Sequence, residues 1–237
     1  MGEKTLKQKI DCVKWYALVF AIGYFLIGAL LRSDGPKFDP GKTYELIRDS
    51  LTLTAYFLAP VAAFVLFSDW RQQHAELAIE TDSTHIYKEM NGLINKLYNM
   101  HFDIEAEENY TEKVSERLSK IMKEISDELK SLEIINNQVE SRGTNGQYFA
   151  KCAKELMEEI RCINLELSQL GVYKIKMHNP EKYNDYLNTT SEEYSQHIQK
   201  SYEGLNYQIT RSYPKLNVLK ANLKVLADSL KIKDPSV

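Results

Sequence analysis

Two apolar runs, Tyr16 to Leu31 and Leu51 to Phe67, limit the folds open to this chain of 237 residues more than any other feature. Each is close to the roughly 20 residues needed to cross a bilayer, and a helix is the simplest way for such a segment to satisfy its own backbone in hydrocarbon. The sequence therefore predicts an all-α protein. A transmembrane hairpin is expected over residues 15–70, with a tail at 1–14, a short external loop at 32–50 and a helical cytoplasmic domain at 71–237. The first run is entered through Lys14-Trp15 and the second is left through Trp70-Arg71. These aromatic and basic pairs anchor at a headgroup layer, so both outer ends are expected at one interface.

A cleaved signal peptide fits the first run poorly, although Lys4, Lys7, Lys9 and Lys14 make it a basic approach. The run exceeds the roughly 7–15 residues of an h-region, Leu31-Arg32-Ser33 offers no small-x-small cleavage site, and a second span follows. Orientation is nearly balanced, because the loop carries Arg32, Lys37, Lys42 and Arg48. Lys14 and Arg71 abut the spans directly, and Cys12, Cys152 and Cys162 read as unpaired thiols suited to a reducing compartment. Both termini are therefore expected in the cytoplasm. The net charge of −3, with no long basic block, gives no electrostatic reason to expect direct nucleic-acid binding; membrane lipid is the first partner expected.

Within the second run, Ala55, Ala59 and Ala63 recur at a spacing of four and form a stripe that permits close helix approach. Ala17 and Ala21, with Gly23 and Gly28, offer the first run a comparable surface. Two readings stay open: the stripes pack the hairpin on itself, or they assemble a homo-oligomer. Pro60 removes a backbone donor mid-span and reads as a hinge or a tolerated kink. Neither run holds an Asp, Glu, Lys, Arg or His, which argues against a proton relay, a voltage sensor or a selective ion transporter. Two helices cannot enclose a pore alone, so a leaky assembly would draw its polarity from Thr52, Thr54 and Tyr56.

Beyond Phe67 the periodicity is helical. Leu118, Ile121, Ile125, Leu129, Leu132, Ile135 and Val139 make one stripe, and Phe149, Cys152, Leu156, Ile160, Ile163, Leu167 and Leu170 another. Arg142 to Gly146 reads as the turn between them, and Gly171 as the end of the second. Tyr183, Leu187, Tyr194, Ile198, Leu205 and Ile209 form a further series, and Leu216, Leu219, Leu223, Leu226 and Leu230 a heptad seam. Pro180 and Pro214 read as helix starts. With no cap before Asn91-Gly92, the stretch from Asp69 to about Asn99 is expected to continue the second span. The expected domain is an antiparallel bundle or coiled coil whose seams chiefly form an intramolecular core.

Candidate chemistry is sparse. His74, His85, His101, His178 and His197 lack the close repeat of a helical metal site, and Cys152 and Cys162, ten residues apart on one helix, do not face each other and read as buried structural thiols. There is no phosphate loop, nucleophile elbow or dinucleotide-binding glycine pattern, and Glu107-Glu108 and Glu158-Glu159 read as solvated faces. Neither a catalytic residue nor a cofactor nor a metal is predicted, and the chain does not read as an enzyme.

The most specific local stretch is Ser68-Asp69-Trp70-Arg71-Gln72-Gln73-His74. Together with the two preceding spans and the helical remainder, it resembles the small two-span membrane effectors of bacterial antiphage systems, including those associated with retrons. The resemblance is architectural over most of the chain and motif-like over Ser68 to His74. It implies an effector held silent by partner proteins or by a retron ribonucleoprotein of reverse transcriptase and noncoding RNA, then released on phage infection to disrupt the inner membrane in abortive infection. The competing expectation is a non-toxic membrane-tethered adaptor that recruits a partner through its helical domain.

Overall fold

A computed structural model describes residues 6–32, 40–106, 111–183 and 191–231. Lys4, Gly35-Pro36, Lys37, Glu107-Glu108 and Leu187 lie outside them. The described residues are helical almost throughout: α1 is Leu6–Arg32, α2 Pro40–Ala106, α3 Glu112–Ser141, α4 Thr144–His178, α5 Pro180–Tyr183 and α6 Ser191–Ser229. Two helices, α1 and α2, contain stretches long and apolar enough to cross a membrane. The chain divides into two compact units, Met1–Ala75 and Glu76–Val237, so α2 contributes to both.

α2 begins at Pro40, ten residues before the expected end of the connecting loop. Proline suits a first helical position, because its φ is preset and the N–H it lacks would have no partner there. The helix then passes Asn91-Gly92 without a break.

In the second unit, the part of α2 from Glu76 onward packs with α3, α4 and α6 around one apolar core. Cross-helix pairs define the directions. Asp82 with Arg142, Lys96 with Glu128 (2.5 Å) and Asp103 with Arg117 (3.6 Å) run α2 against α3 in opposite senses. Asn164 with Met122 and Asn136 with Ala150 do the same for α3 and α4, and Glu166 with Gln208 and Glu159 with Lys215 for α4 and α6. Tyr98 with Asn217 and His101 with Asn206 close the circuit from α6 back to α2. Successive long helices therefore alternate in direction.

The expected stripes fill the core. Leu118, Ile125, Leu129, Leu132 and Val139 of α3 are buried, as are Phe149, Leu156, Ile160, Ile163, Leu167 and Leu170 of α4. Leu216 and Leu223 of α6 are fully buried, with Leu219, Leu226 and Leu230 packed against the core. Each fully buried Leu or Ile contributes about 1.5–3 kcal/mol, whereas an exposed ion pair such as Lys96–Glu128 contributes about 0–1. The apolar seams hold this unit together, and the pairs adjust its register.

The α3–α4 turn is tighter than expected, since α4 starts at Thr144 and leaves Arg142-Gly143 as the connection. Gly143 has φ +137°, a conformation that favours glycine. Gly146 lies inside the first turn of α4, where any Cβ would press on the Val139 carbonyl oxygen. α4 also continues through buried Gly171 to His178, ending before Asn179-Pro180 because a residue preceding proline is steered out of the helical region. Pro214 is inside α6 rather than at a helix start. The bond it forfeits is to the Thr210 carbonyl, and both residues are exposed, so water can replace it.

Candidate functional site

The first unit carries the expected membrane residues. Leu46 packs directly over Gly28, the Ser50 hydroxyl donates to the Ala21 carbonyl (3.0 Å), and Phe20 meets Phe57 edge to face at 5.4 Å. Residue numbers rise on α1 as they fall on α2, so the pair is antiparallel. A groove of apolar lining follows, with Ala17 and Tyr16 facing Thr54, Leu58 and Val61. Of the small residues of α1, Ala17 and Gly28 thus face α2 and Ala21 meets it through its carbonyl, whereas a Cβ at Gly23 would meet nothing within 4 Å. Those of α2 do not face α1: Ala55, Ala59 and Ala63 are all exposed, and the contact face is Leu46, Ser50, Thr54, Phe57 and Val61. In this register the alanine stripe of α2 faces away from α1.

Pro60 is also exposed and sits within an unbroken helix. The carbonyl it leaves without its usual donor is that of Tyr56, itself 74% exposed. In water that carbonyl is solvated; in hydrocarbon it would need a partner.

Lys14, Trp15, Trp70 and Arg71 are exposed, but they do not lie at one level. Following the register from Gly28–Leu46 and Phe20–Phe57, Lys14 and Trp15 come beside the stretch around Pro60. Trp70 is ten residues, or about 15 Å, farther along α2. Lys14 pairs with Asp11 (3.7 Å) on its own helix. The Ser68–His74 tract is spent largely on itself: Trp70 stacks on His74 (5.3 Å) and touches Phe67 (5.9 Å), Gln73 donates to Asp69 (2.8 Å) and Ser68 to the Val65 carbonyl (2.8 Å).

The second unit contains a polar node that metal-ligand spacing could not reveal. His101, with 8% of its side chain exposed, places Nε2 2.5 Å from Asn206 Oδ1 and Nδ1 3.0 Å from the Tyr213 hydroxyl. Asn206 in turn donates Nδ2 to Glu105 Oε1 (2.8 Å). Asn206 Oδ1 can only accept, so His101 Nε2 donates to it, while the Tyr213 hydroxyl can give or take the bond at Nδ1. The Tyr98 ring packs 4.4 Å from Tyr213, and the Asn217 amide donates to the Tyr98 hydroxyl (2.9 Å). Burial, then Tyr98, Glu105 and Glu166, push the Tyr213 phenol far above its ordinary value. Burial, followed by Glu105, raises the Tyr202 phenol as well. The node joins α2 to α6. A legible signal existed: His101 falls in phase with Leu93, Leu97, Met100 and Ile104 on the buried face of α2.

Among the described residues no group of three or more His, Cys, Asp or Glu is arranged to hold a metal ion, and no cysteine is in a disulfide. Cys162 is exposed rather than buried, because its position lies outside the phase of the α4 stripe. Cys152 is half-buried, which raises its thiol, with Glu155 adding to the effect. Glu158 is solvated as expected, whereas Glu159, 12% exposed, turns inward to Lys215. No family model, curated protein or solved structure matches the chain.

Proposed function

We infer that this chain is a membrane effector of a bacterial antiviral, retron-like defence system, which disrupts the inner membrane on phage infection and causes abortive infection. The observation that carries the membrane part is exposure: none of the apolar window of α1 and 6% of that of α2 is buried within the protein. A core helix of a water-soluble fold would bury such a window. In this reading α1 and the first part of α2 form a two-span hairpin, with both termini and the helical bundle on the cytoplasmic side. The defence assignment rests on the resemblance at Ser68–His74 and on the architecture.

The exposed stripe of Ala55, Ala59 and Ala63 suits assembly with other copies, since small residues let helices approach and pack in lipid. Pro60 supplies a flexible point and a free carbonyl beside the stripe. The bundle receives the release signal from partner proteins or from a reverse transcriptase and noncoding RNA complex. Seating Lys14, Trp15, Trp70 and Arg71 in one headgroup layer requires α1 to slide about ten residues along α2 from the register described.

The test is membrane potential and growth after induced expression, for the full chain, for Ala59→Leu, and for a chain whose residues 1–67 are exchanged for an inert two-span hairpin, with insertion checked in each. Depolarisation and arrest by the native chain alone support the reading. Killing undiminished by Ala59→Leu refutes assembly through the stripe. Defence that survives the hairpin exchange, without depolarisation, makes the chain a tethered adaptor instead.

A further inference from the structure

We propose that the outer face of α6 is a self-association surface, on which the same face of a second copy of this chain packs antiparallel. Opposite its buried seam, α6 exposes a second apolar series, Tyr207, Pro214, Val218, Ala221 and Val225, at helical spacings of seven, four, three and four. Tyr207 is 65%, Val218 59% and Val225 67% exposed. The series runs eighteen residues, or about 27 Å along the helix. α3, another long helix of the same unit, carries charge at the corresponding outward positions, Lys113, Glu116, Lys120, Glu124, Asp127 and Lys130, all exposed. A helix apolar on both faces is one that packs on both.

Charge and size select the occupant. One edge of the series carries Glu203, Thr210, Asn217 and Lys224, each exposed and seven residues from the next. Two such helices related by a two-fold axis and running antiparallel set Glu203 against Lys224 of the second copy, and Thr210 against Asn217, twice over. The same register seats Tyr207 on Val218 of the second copy and brings Gly204 beside its Ala221, two small residues that let the backbones close. A Cβ at Gly204 would meet nothing within 4 Å in one chain, so that space is open. Arg211 lies in the seam against Pro214 of the second copy, its guanidinium laid over its own Tyr207 ring at 5.7 Å. A parallel pair would stack Arg211 on Arg211 and give Glu203 and Lys224 no opposite charge. The surface therefore fits its own copy in one direction. The proposal concerns α6 and does not rest on the membrane reading.

The test uses the full chain in detergent micelles, with Cys12, Cys152 and Cys162 changed to Ser and both Tyr207→Cys and Val218→Cys introduced. Within one chain these positions are eleven residues and about 16 Å apart along a helix, too far for an internal disulfide. Oxidation is expected to give a covalent dimer from the double variant and almost none from either single one. A covalent dimer from Tyr207→Cys alone, or none from the double variant, overturns the antiparallel pairing. In the otherwise native chain, Glu203→Lys or Lys224→Glu is expected to weaken self-association about two- to thirtyfold, through two symmetric exposed pairs. The two changes together are expected to restore it. Single reversals without effect, or a double reversal no better than the singles, overturn the proposal.

Discussion

Replacing Gly146 with Ala should destabilise the second unit, while the same change at Gly92 should stabilise it. Both glycines lie in helices, where alanine is favoured by roughly 0.5–1 kcal/mol. At Gly92 that gain is unopposed, since a Cβ there meets nothing within 4 Å and the residue is exposed. At Gly146 the new Cβ is driven against the Val139 carbonyl oxygen. The obstacle is backbone, held by its bond from the Arg142 N–H (3.2 Å) and by the Gly143 turn, so it cannot swing aside as a side chain would. Overpacking of this kind costs about 1–3 kcal/mol, which offsets or exceeds the propensity gain and leaves a net loss of up to about 2.5. For a unit of this size the melting temperature should fall by up to about 10 °C in Gly146→Ala and rise by about 1–4 °C in Gly92→Ala. Thermal unfolding of the full chain in detergent, followed by circular dichroism, reads both. A Gly146→Ala protein as stable as Gly92→Ala would refute the claim that the α3–α4 corner is closed by contact at Gly146.

The buried phenol of Tyr213 makes a pH prediction: a folded-state value raised above the unfolded one means the folded protein holds more protons at high pH. The resulting stability is full below about pH 10 and is lost as pH climbs above it, so alkaline unfolding should be shallower in Tyr213→Phe, and ultraviolet titration should show fewer late-ionising tyrosines. His101→Leu should cost about 2–4 kcal/mol in denaturant unfolding, because the Asn206 amide oxygen and the Tyr213 hydroxyl lose their partner in a buried site; a cost below 1 would mean water replaces the imidazole freely. Cysteines placed at Gly28 and Leu46 should cross-link in the register described, whereas Gly28→Cys with Phe57→Cys should cross-link once the anchors share one headgroup layer. Membranes that yield the first pair alone would show that Lys14 and Asp11 stay beside Pro60 after insertion.

Much of the second unit was legible because burial follows the 3.6-residue period closely over long helices. Ile125, Leu132, Val139, Leu156, Ile163 and Leu170 are buried where the spacing put them. The breakers misled, and for a common reason. Gly171 and Pro214 carry intrinsic penalties of about 1 and 3 kcal/mol inside a helix, but each sits in a helix whose apolar seam continues on both sides. Gly171 is itself buried in the core, and Pro214 turns its missing bond to solvent. Local propensity loses to packing when the seam is longer than the flaw. The tight turn at Arg142-Gly143 escaped because Thr144 and Asn145 read as turn residues from composition, although they are equally suited to the first positions of a helix.

The polar node and the alanine stripe were harder for a different reason: spacing tells which residues share a face, but not what that face meets. His101 shares its face with Leu97 and Ile104, so its burial follows from phase alone, yet nothing in α2 reveals that Asn206 and Tyr213, more than a hundred residues away, arrive to satisfy both ring nitrogens. The alanine stripe is the converse case. Ala55 and Ala59 follow Thr54 and Leu58 by one residue, a rotation of about 100°, and Ala63 continues their stripe, so all three fall off the face that meets α1. In α1 the contact face holds the small residues, Ala17, Ala21 and Gly28, and α2 answers with the larger Leu46 and Phe57. A pair packed small against large uses one small-residue stripe and leaves the other outward. In the register described, the stripe on α2 is therefore surplus to the pairing of the two helices, which is why spacing alone could not tell whether it meets α1.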